Sequence, residues 1–362
     1  MFRTKKIWVL LLVAAALLVG VMALVGLEKT WRAVLQAGLP AFLSTGACML
    51  LLVLVQAAAW QYLNGGVGHK VPYHVLLEAM VVGQAGNTLT PSTYLGGEPA
   101  RVLYVGRRTG LRYQELTGTV LLSKYLEAVS FVGFLLLCAG AAIERFHHML
   151  FEGAGLFLGV TLLIVLALLV TLAVSLVMTL QRGWTPLAAV MLGAERLRFF
   201  PTRMRRLRRR TVGVEKQASR VWRQEERLIL PAILLYFVTH VVMFVKPLAF
   251  FWLGWRLGLD LPELALIFVT SQVLLAFQLT PSGVGTLDGG LIGMLTLAGV
   301  RVADPQVAAY LLSLRFWDFV IIALGAFFAA RAGAQLLAQP MPGVEEGDEQ
   351  KDTKDYKDPK DA

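Results

Sequence analysis

Thr90-Pro91-Ser92-Thr93-Tyr94-Leu95-Gly96-Gly97-Glu98 ends an apolar stretch that begins at Tyr73, and Thr280-Pro281-Ser282-Gly283-Val284-Gly285-Thr286-Leu287-Asp288 ends another that begins at Pro262. Both place Thr-Pro-Ser, two glycines and an acid in the same order, 190 residues apart. Proline and glycine halt a helix and leave backbone groups that, at membrane depth, must face protein or water. Each stretch therefore reads as a re-entrant, broken helix ending in an elbow. A three-letter match is cheap by itself, but the same shift carries Ser123 onto Ser313. With one extra residue it carries Lys124-Tyr125-Leu126-Glu127 onto Arg315-Phe316-Trp317-Asp318. Two elbows with acids and two charged tetrads in one order indicate an internal duplication.

Around the elbows the chain is mostly a lipid-phase sequence: 57% hydrophobic, 16% charged, mean hydropathy +0.64 over 362 residues. A hydrocarbon core of about 30 Å takes about 20 apolar residues in a helix. Six runs are long enough: Ile7 to Leu27, Leu39 to Leu63, Thr117 to Ile143, Gly155 to Leu180, Leu228 to Trp255 and Val307 to Ala330. The first follows Arg3, Lys5 and Lys6, but it is too long for a signal-peptide core and no A-x-A site follows it, so it reads as a retained span. The fold class is thus an all-α polytopic membrane protein with six full spans and two re-entrant broken helices. Residues 1–338 form the membrane domain, with halves at roughly 39–180 and 228–335 joined by a basic segment at 181–227. The charged tail at 339–362 is expected to be disordered.

Lysine and arginine set the expected orientation. The amino-terminal tail, Lys70, Pro99 to Leu116 and Gln181 to Arg227 carry 21 of them, against five in the alternate connections. The basic side is read as cytoplasmic, in an inner (plasma) membrane. That count is self-consistent only if each broken helix returns to the side it entered from, the first from the cytoplasm and the second from outside. The two halves would then form an inverted repeat, an architecture of transporters.

Several chemistries lack support. Cys48 and Cys138 lie in apolar runs without a metal-ligand spacing, and the five histidines form no HExxH-like set, so no metal and no cofactor is expected. Gly283-Val284-Gly285 does not follow a strand and lacks the third glycine of a dinucleotide loop. The arginine run from Arg203 to Arg210 reads as a topology determinant attracted to anionic headgroups, not as a nucleic-acid site.

Ionisable residues inside spans cost about 2.5–3.5 kcal/mol each on insertion scales, so each is a functional candidate. Lys124 with Glu127, and Arg315 with Asp318, are three apart and share a helix face, as substrate contacts or as locally neutralising pairs. Lys246 lies near the middle of its span before Pro247 with no acid within one turn. It is expected to face a cavity, a partner from another helix or an anionic substrate, with snorkelling toward water as the alternative. His240 reads as a hydrogen-bonded core histidine. Glu98 and Asp288, after the elbows, could bind a cation or proton, orient Arg101 toward a phosphate, or cap a helix. The candidate substrate-binding set is completed by the elbow residues Thr90, Pro91, Ser92, Gly96, Gly97, Thr280, Pro281, Ser282, Gly283 and Gly285. Arg107, Arg108 and Arg112 form a candidate headgroup-binding cluster, with positive-inside bias as the alternative.

Pro91-Ser92 with Gly96-Gly97-Glu98-Pro99-Ala100-Arg101, followed by Gly106-Arg107-Arg108-Thr109-Gly110, resembles the P…G-G-[DE]-x-x-R motif and basic turn of the lysylphosphatidylglycerol synthase transmembrane-region family. Pro281-Ser282-Gly283-Val284-Gly285-Thr286-Leu287-Asp288 is similar to its second motif, P…G-x-G…E, with Asp288 where Glu is commoner. The resemblance covers about residues 5 to 335. It implies a flippase-like domain that moves an anionic phospholipid or lipid-linked substrate between leaflets, without covalent catalysis. Some family members add a soluble aminoacyl-transferase domain; the sequence as given leaves no room for one, so a stand-alone member is expected. The alternatives are a membrane-embedded headgroup transferase with Glu98 or Asp288 as base, and a non-catalytic scaffold for a lipid-modifying partner. The oligomeric state is not encoded in any motif.

Overall fold

In lipid only a helix satisfies its backbone without outside partners, and the apolar runs fold accordingly. A computed structural model describes residues 26–89, 97–152, 156–183, 226–276 and 283–336, with isolated positions between 192 and 223. Among the described residues the regular elements are all helical: α1 (Leu27–Gly66), α2 (Tyr73–Leu89), α3 (Glu98–Thr109), α4 (Tyr113–Phe151), α5 (Leu156–Arg182), α6 (Glu226–Trp255), α7 (Leu261–Ala276), α8 (Thr286–Leu297) and α9 (Asp304–Leu336). Five of them, α1, α4, α5, α6 and α9, are long and apolar enough to cross a membrane. They coincide with five of the six expected spans. The sixth, Ile7 to Leu27, lies almost wholly outside the described residues, as do the tail and most of the basic segment.

At about 1.5 Å per residue, the 40 residues of α1 would make a rod twice the hydrocarbon thickness. It is not one rod. Gly38 takes φ 69°, ψ 173°, and Pro40 follows it, so the helix breaks where the apolar run beginning at Leu39 starts. The indole of Trp317 on α9 donates to the carbonyl of Phe42 just beyond the break (2.8 Å).

The helices recur in one order: long α1, short α2, shorter α3, long α4, and then long α6, short α7, shorter α8, long α9. Their packing recurs too. α1 lies along α6; α9 packs on α1 and α2 as α4 packs on α6 and α7; α2 packs on α3 as α7 packs on α8; α3 packs on α4 as α8 packs on α9. The connections fit the same scheme. His69 after α1 pairs with Glu115 at the start of α4 (3.5 Å), while Glu263 at the start of α7 pairs with Arg301 before α9 (3.5 Å). α5 stands outside this scheme, packed on α4.

The largest apolar core joins α4, α6, α7, α8 and α9, with the start of α1 and part of α5 packed into it. At its centre Phe134 of α4 meets Phe237 and Phe244 of α6 and Phe268 of α7, with ring centroids 5.1–5.6 Å apart and near-perpendicular planes. A second core joins α1, α2 and α3 with the start of α4 and the end of α9, and a third joins α1, α4, α6 and the end of α5. Leu50, Leu137, Leu168, Phe319 and Phe327 point outward, as expected of helices whose solvent is lipid.

Candidate functional site

The first elbow is held by close backbone contact. A Cβ placed on Gly97 would lie 1.8 Å from the carbonyl oxygen of Gly83 on α2, and one on Gly83 would strike the Arg101 side chain. Two glycines therefore let the start of α3 and its Arg101 lie directly on α2. Asn87 accepts the Gly97 N–H (2.7 Å), leaving the carboxylate of Glu98 for other partners. Glu98 Oε2 accepts from Arg101 Nη1 at 2.7 Å, and Oε1 lies 3.1 Å from Lys124 Nζ of α4, off the hydrogen-bonding direction. Lys124 donates to Glu127 Oε2 (2.9 Å), whose other oxygen accepts from Gln56 Nε2 of α1 (3.2 Å). The buried Arg101 guanidinium stacks over Trp60, 4.9 Å from the ring. Trp60 in turn donates to Thr119, and Thr119 to Asn64 (3.2 and 3.1 Å).

The second elbow builds the same pattern from different residues. Gly285, with φ 87°, starts α8, and its N–H donates to Asp288 Oδ2 (2.8 Å). Asp288 Oδ1 accepts from Arg315 Nη2 of α9 (2.9 Å), and Arg315 Nη1 reaches Asp318 at 3.4 Å. Each half thus carries an acid–cation–acid triad: Glu98–Lys124–Glu127 and Asp288–Arg315–Asp318. Asp288 both caps its helix and pairs with the cation, whereas Glu98 has no capping bond. Each acid engages cations of its own half, not the acid of the other.

Lys246 on α6 faces the second triad, its charged neighbours being Asp318 and Arg315 with Cys48 alongside. It makes no ion pair within 4 Å among the described residues. Among the described residues, the second group with this ammonium holds two acids and two cations, as the first does with Arg101. The 190-residue shift places Gln56 on Lys246; Gln56 is hydrogen-bonded to Glu127, and the equivalent acid, Asp318, is the nearest carboxylate neighbour of Lys246 without closing on it within 4 Å among the described residues.

Other expected residues are dispersed. Thr90, Pro91, Ser92, Gly96, Thr280, Pro281 and Ser282 lie outside the described residues; Gly283 turns with φ 66° and its carbonyl accepts from Thr286 (3.1 Å). The arginine cluster divides: Arg107 and Arg112 are exposed, while Arg108 lies 3.7 Å from Glu78 on α2, which also accepts from Tyr104. His240 is buried edge-on against Phe131, near the Glu127 backbone, with neither ring nitrogen in hydrogen-bonding geometry. His240 is the core histidine expected, packed among aromatic rings beside the Glu127 backbone. Gln56, Trp60 and Glu78 were missed as site residues. Gln56 and Glu78 were detectable as polar interruptions of apolar runs, and Gln56 also as the repeat partner of Lys246.

The family described as the lysylphosphatidylglycerol synthase transmembrane region matches residues 7–330. The chain belongs to this family. Among its relatives, a UPF0104 membrane protein of Methanothermobacter thermautotrophicus is 24% identical over 260 residues, covering 69% of this chain and 72% of the relative. UPF0104 membrane proteins of Pyrococcus horikoshii and Methanocaldococcus jannaschii are 23% and 21% identical over 133 and 138 residues, or 40% and 41% of their lengths. No solved structure matches the chain. In this member of the lysylphosphatidylglycerol synthase transmembrane-region family, both family-like motifs contain the elbow acids of the triads, Glu98 and Asp288.

Proposed function

We propose that the protein moves an anionic phospholipid or lipid-linked anion between the leaflets of the membrane without altering it covalently. The observation that carries this reading is the pair of equivalent acid–cation–acid triads between helices long enough to span. Charges are costly in that layer, and a purely structural chain has no need to place them there twice. Ammonium and guanidinium groups are the donors that bind phosphate oxygens through charge-assisted hydrogen bonds. Family membership points the same way.

The architecture that fits is an inverted repeat. α2 and α7, of 17 and 16 residues, are about 25 Å long, short for a full crossing, and each leads through its elbow into a 12-residue helix. The matched packing of α1–α4 and α6–α9 is what a two-fold relation in the membrane plane would produce. With basic connections on the cytoplasmic face of the inner membrane, the first elbow enters from inside and the second from outside.

The test is reconstitution into vesicles containing an anionic phospholipid labelled on its headgroup. Exchange between leaflets faster than in protein-free vesicles, with the lipid recovered unchanged, is expected. Recovery of a modified lipid would make the protein a transferase, and absence of both would leave the scaffold reading.

A further inference from the structure

The two triads match in pattern but not in how their charges are matched. In the first, Glu127 has one oxygen on Gln56 and the other on Lys124. Glu98 lies between Arg101 and Lys124, and Arg101 is closed over by Trp60. In the second, the position equivalent to Gln56 holds Lys246. Its ammonium lies near Asp318 and Arg315 but closes onto neither within 4 Å among the described residues. The surroundings differ in the same sense. Ser123 in the first half is hydrogen-bonded to Tyr236 of α6, whereas its repeat partner Ser313 is fully buried with no hydrogen-bond partner for Oγ. The shift places Gly46 of α1 at the position equivalent to Tyr236 of α6, so the phenol that pairs with Ser123 has no counterpart for Ser313.

We infer that the two halves divide the work: the second group, with Lys246 and Arg315, receives the substrate's phosphate-type oxyanion, while the first, whose charges pair with one another at 2.7–3.1 Å, is a closed brace. This rests on the transport reading and assigns that reading's binding step to one half. Lys246 is a compact point charge on a flexible stem, able to swing between Asp318 and an incoming oxyanion, while Arg315 is fixed by Asp288. Gln56, being neutral, can bind Glu127 but has no charge to offer an anion.

Cys48 provides a reporter beside Lys246, and Cys138 is the chain's second cysteine. In purified full-length C138A protein, the rate of Cys48 alkylation by N-ethylmaleimide is measured with and without dihexanoyl phosphatidylglycerol, and with and without sodium phosphate. The ratio is compared within each variant. Protection by the lipid alone assigns the site to a lipid headgroup, and protection by both assigns it to the oxyanion itself. K246Q and K246M are expected to raise the half-protecting concentration at least about tenfold, as loss of a desolvated charge partner does, with K246R and Q56K changing it less than about threefold. No protection of the parent protein by either anion, or equal shifts in K246Q and Q56K, overturns the inference. Leaflet exchange separates the two readings: exchange with equal effects of K246Q and Q56K leaves transport standing without the division of labour. Protection lost in K246Q, in a protein that exchanges no lipid, leaves the site standing without transport.

Discussion

Lys124 sits between two carboxylates, so its loss and its replacement by another charge pattern have different consequences. Lys124→Met leaves Glu98 with Arg101 but strips Glu127 of its cation. Breaking one side of a buried pair costs about 3–5 kcal/mol because the remaining charge stays desolvated. Thermal unfolding in detergent is expected to fall accordingly. Adding Glu127→Gln, which restores neutrality and leaves an amide facing Gln56, is expected to recover most of the loss. A double variant no more stable than K124M would show that Lys124 contributes through packing alone. Gly97 tests the elbow in the same way. Gly97→Ala drives a methyl into backbone that has no room to retreat, at about 3 kcal/mol, whereas Gly133→Ala on α4 meets open space and is expected to be neutral or slightly stabilising. Comparable melting temperatures for the two variants would contradict the close approach of Gly83 and Gly97.

At the scale of elements, the orientation of α3 and of the α8–α9 connection is open to direct test. Arg107 on α3 and Arg301 before α9 are both exposed, and the topology proposed from the basic asymmetry puts them on opposite sides. In a cysteine-free background, Arg301→Cys is expected to react with an impermeant thiol reagent in intact cells, and Arg107→Cys only after permeabilisation. Labelling of Arg107→Cys from outside would invert or dismantle the proposed topology. Element positions were readable in the sequence because a span is declared by length and hydropathy alone, and the described spans fall on the runs that start at Leu39, Thr117, Gly155, Leu228 and Val307. Lys124 with Glu127 was readable from helical spacing. The link from Glu98 to Lys124 was not, because it depends on α3 folding back against α4 after the elbow. Nor was the stacking of Arg101 on Trp60: a tryptophan in an apolar run looks like lipid-facing bulk until the partner's position is known. Arg108 looked interchangeable with Arg107 and Arg112 because its acid, Glu78, is 30 residues away in sequence.

Across the whole molecule, the aromatic group around Phe134 has an electrical consequence. A cell's voltage is drained by any continuous thread of water through its envelope. Phe131 and Phe134 lie four and seven residues beyond Glu127 on α4 and pack with Phe244 and Phe268 into an aromatic cluster that also takes in the imidazole of His240. A packed cluster of rings excludes water, as hydrophobic gates in channels do. The protein is therefore expected to behave as an insulator at rest: vesicles containing it should hold an imposed potassium diffusion potential as long as protein-free ones do, read with a voltage-sensitive dye. Phe134→Ala, which opens a hole where three rings converge, should let that potential decay measurably faster. A parent protein that itself short-circuits the vesicle, or a Phe134→Ala variant as tight as the parent, would locate the seal elsewhere.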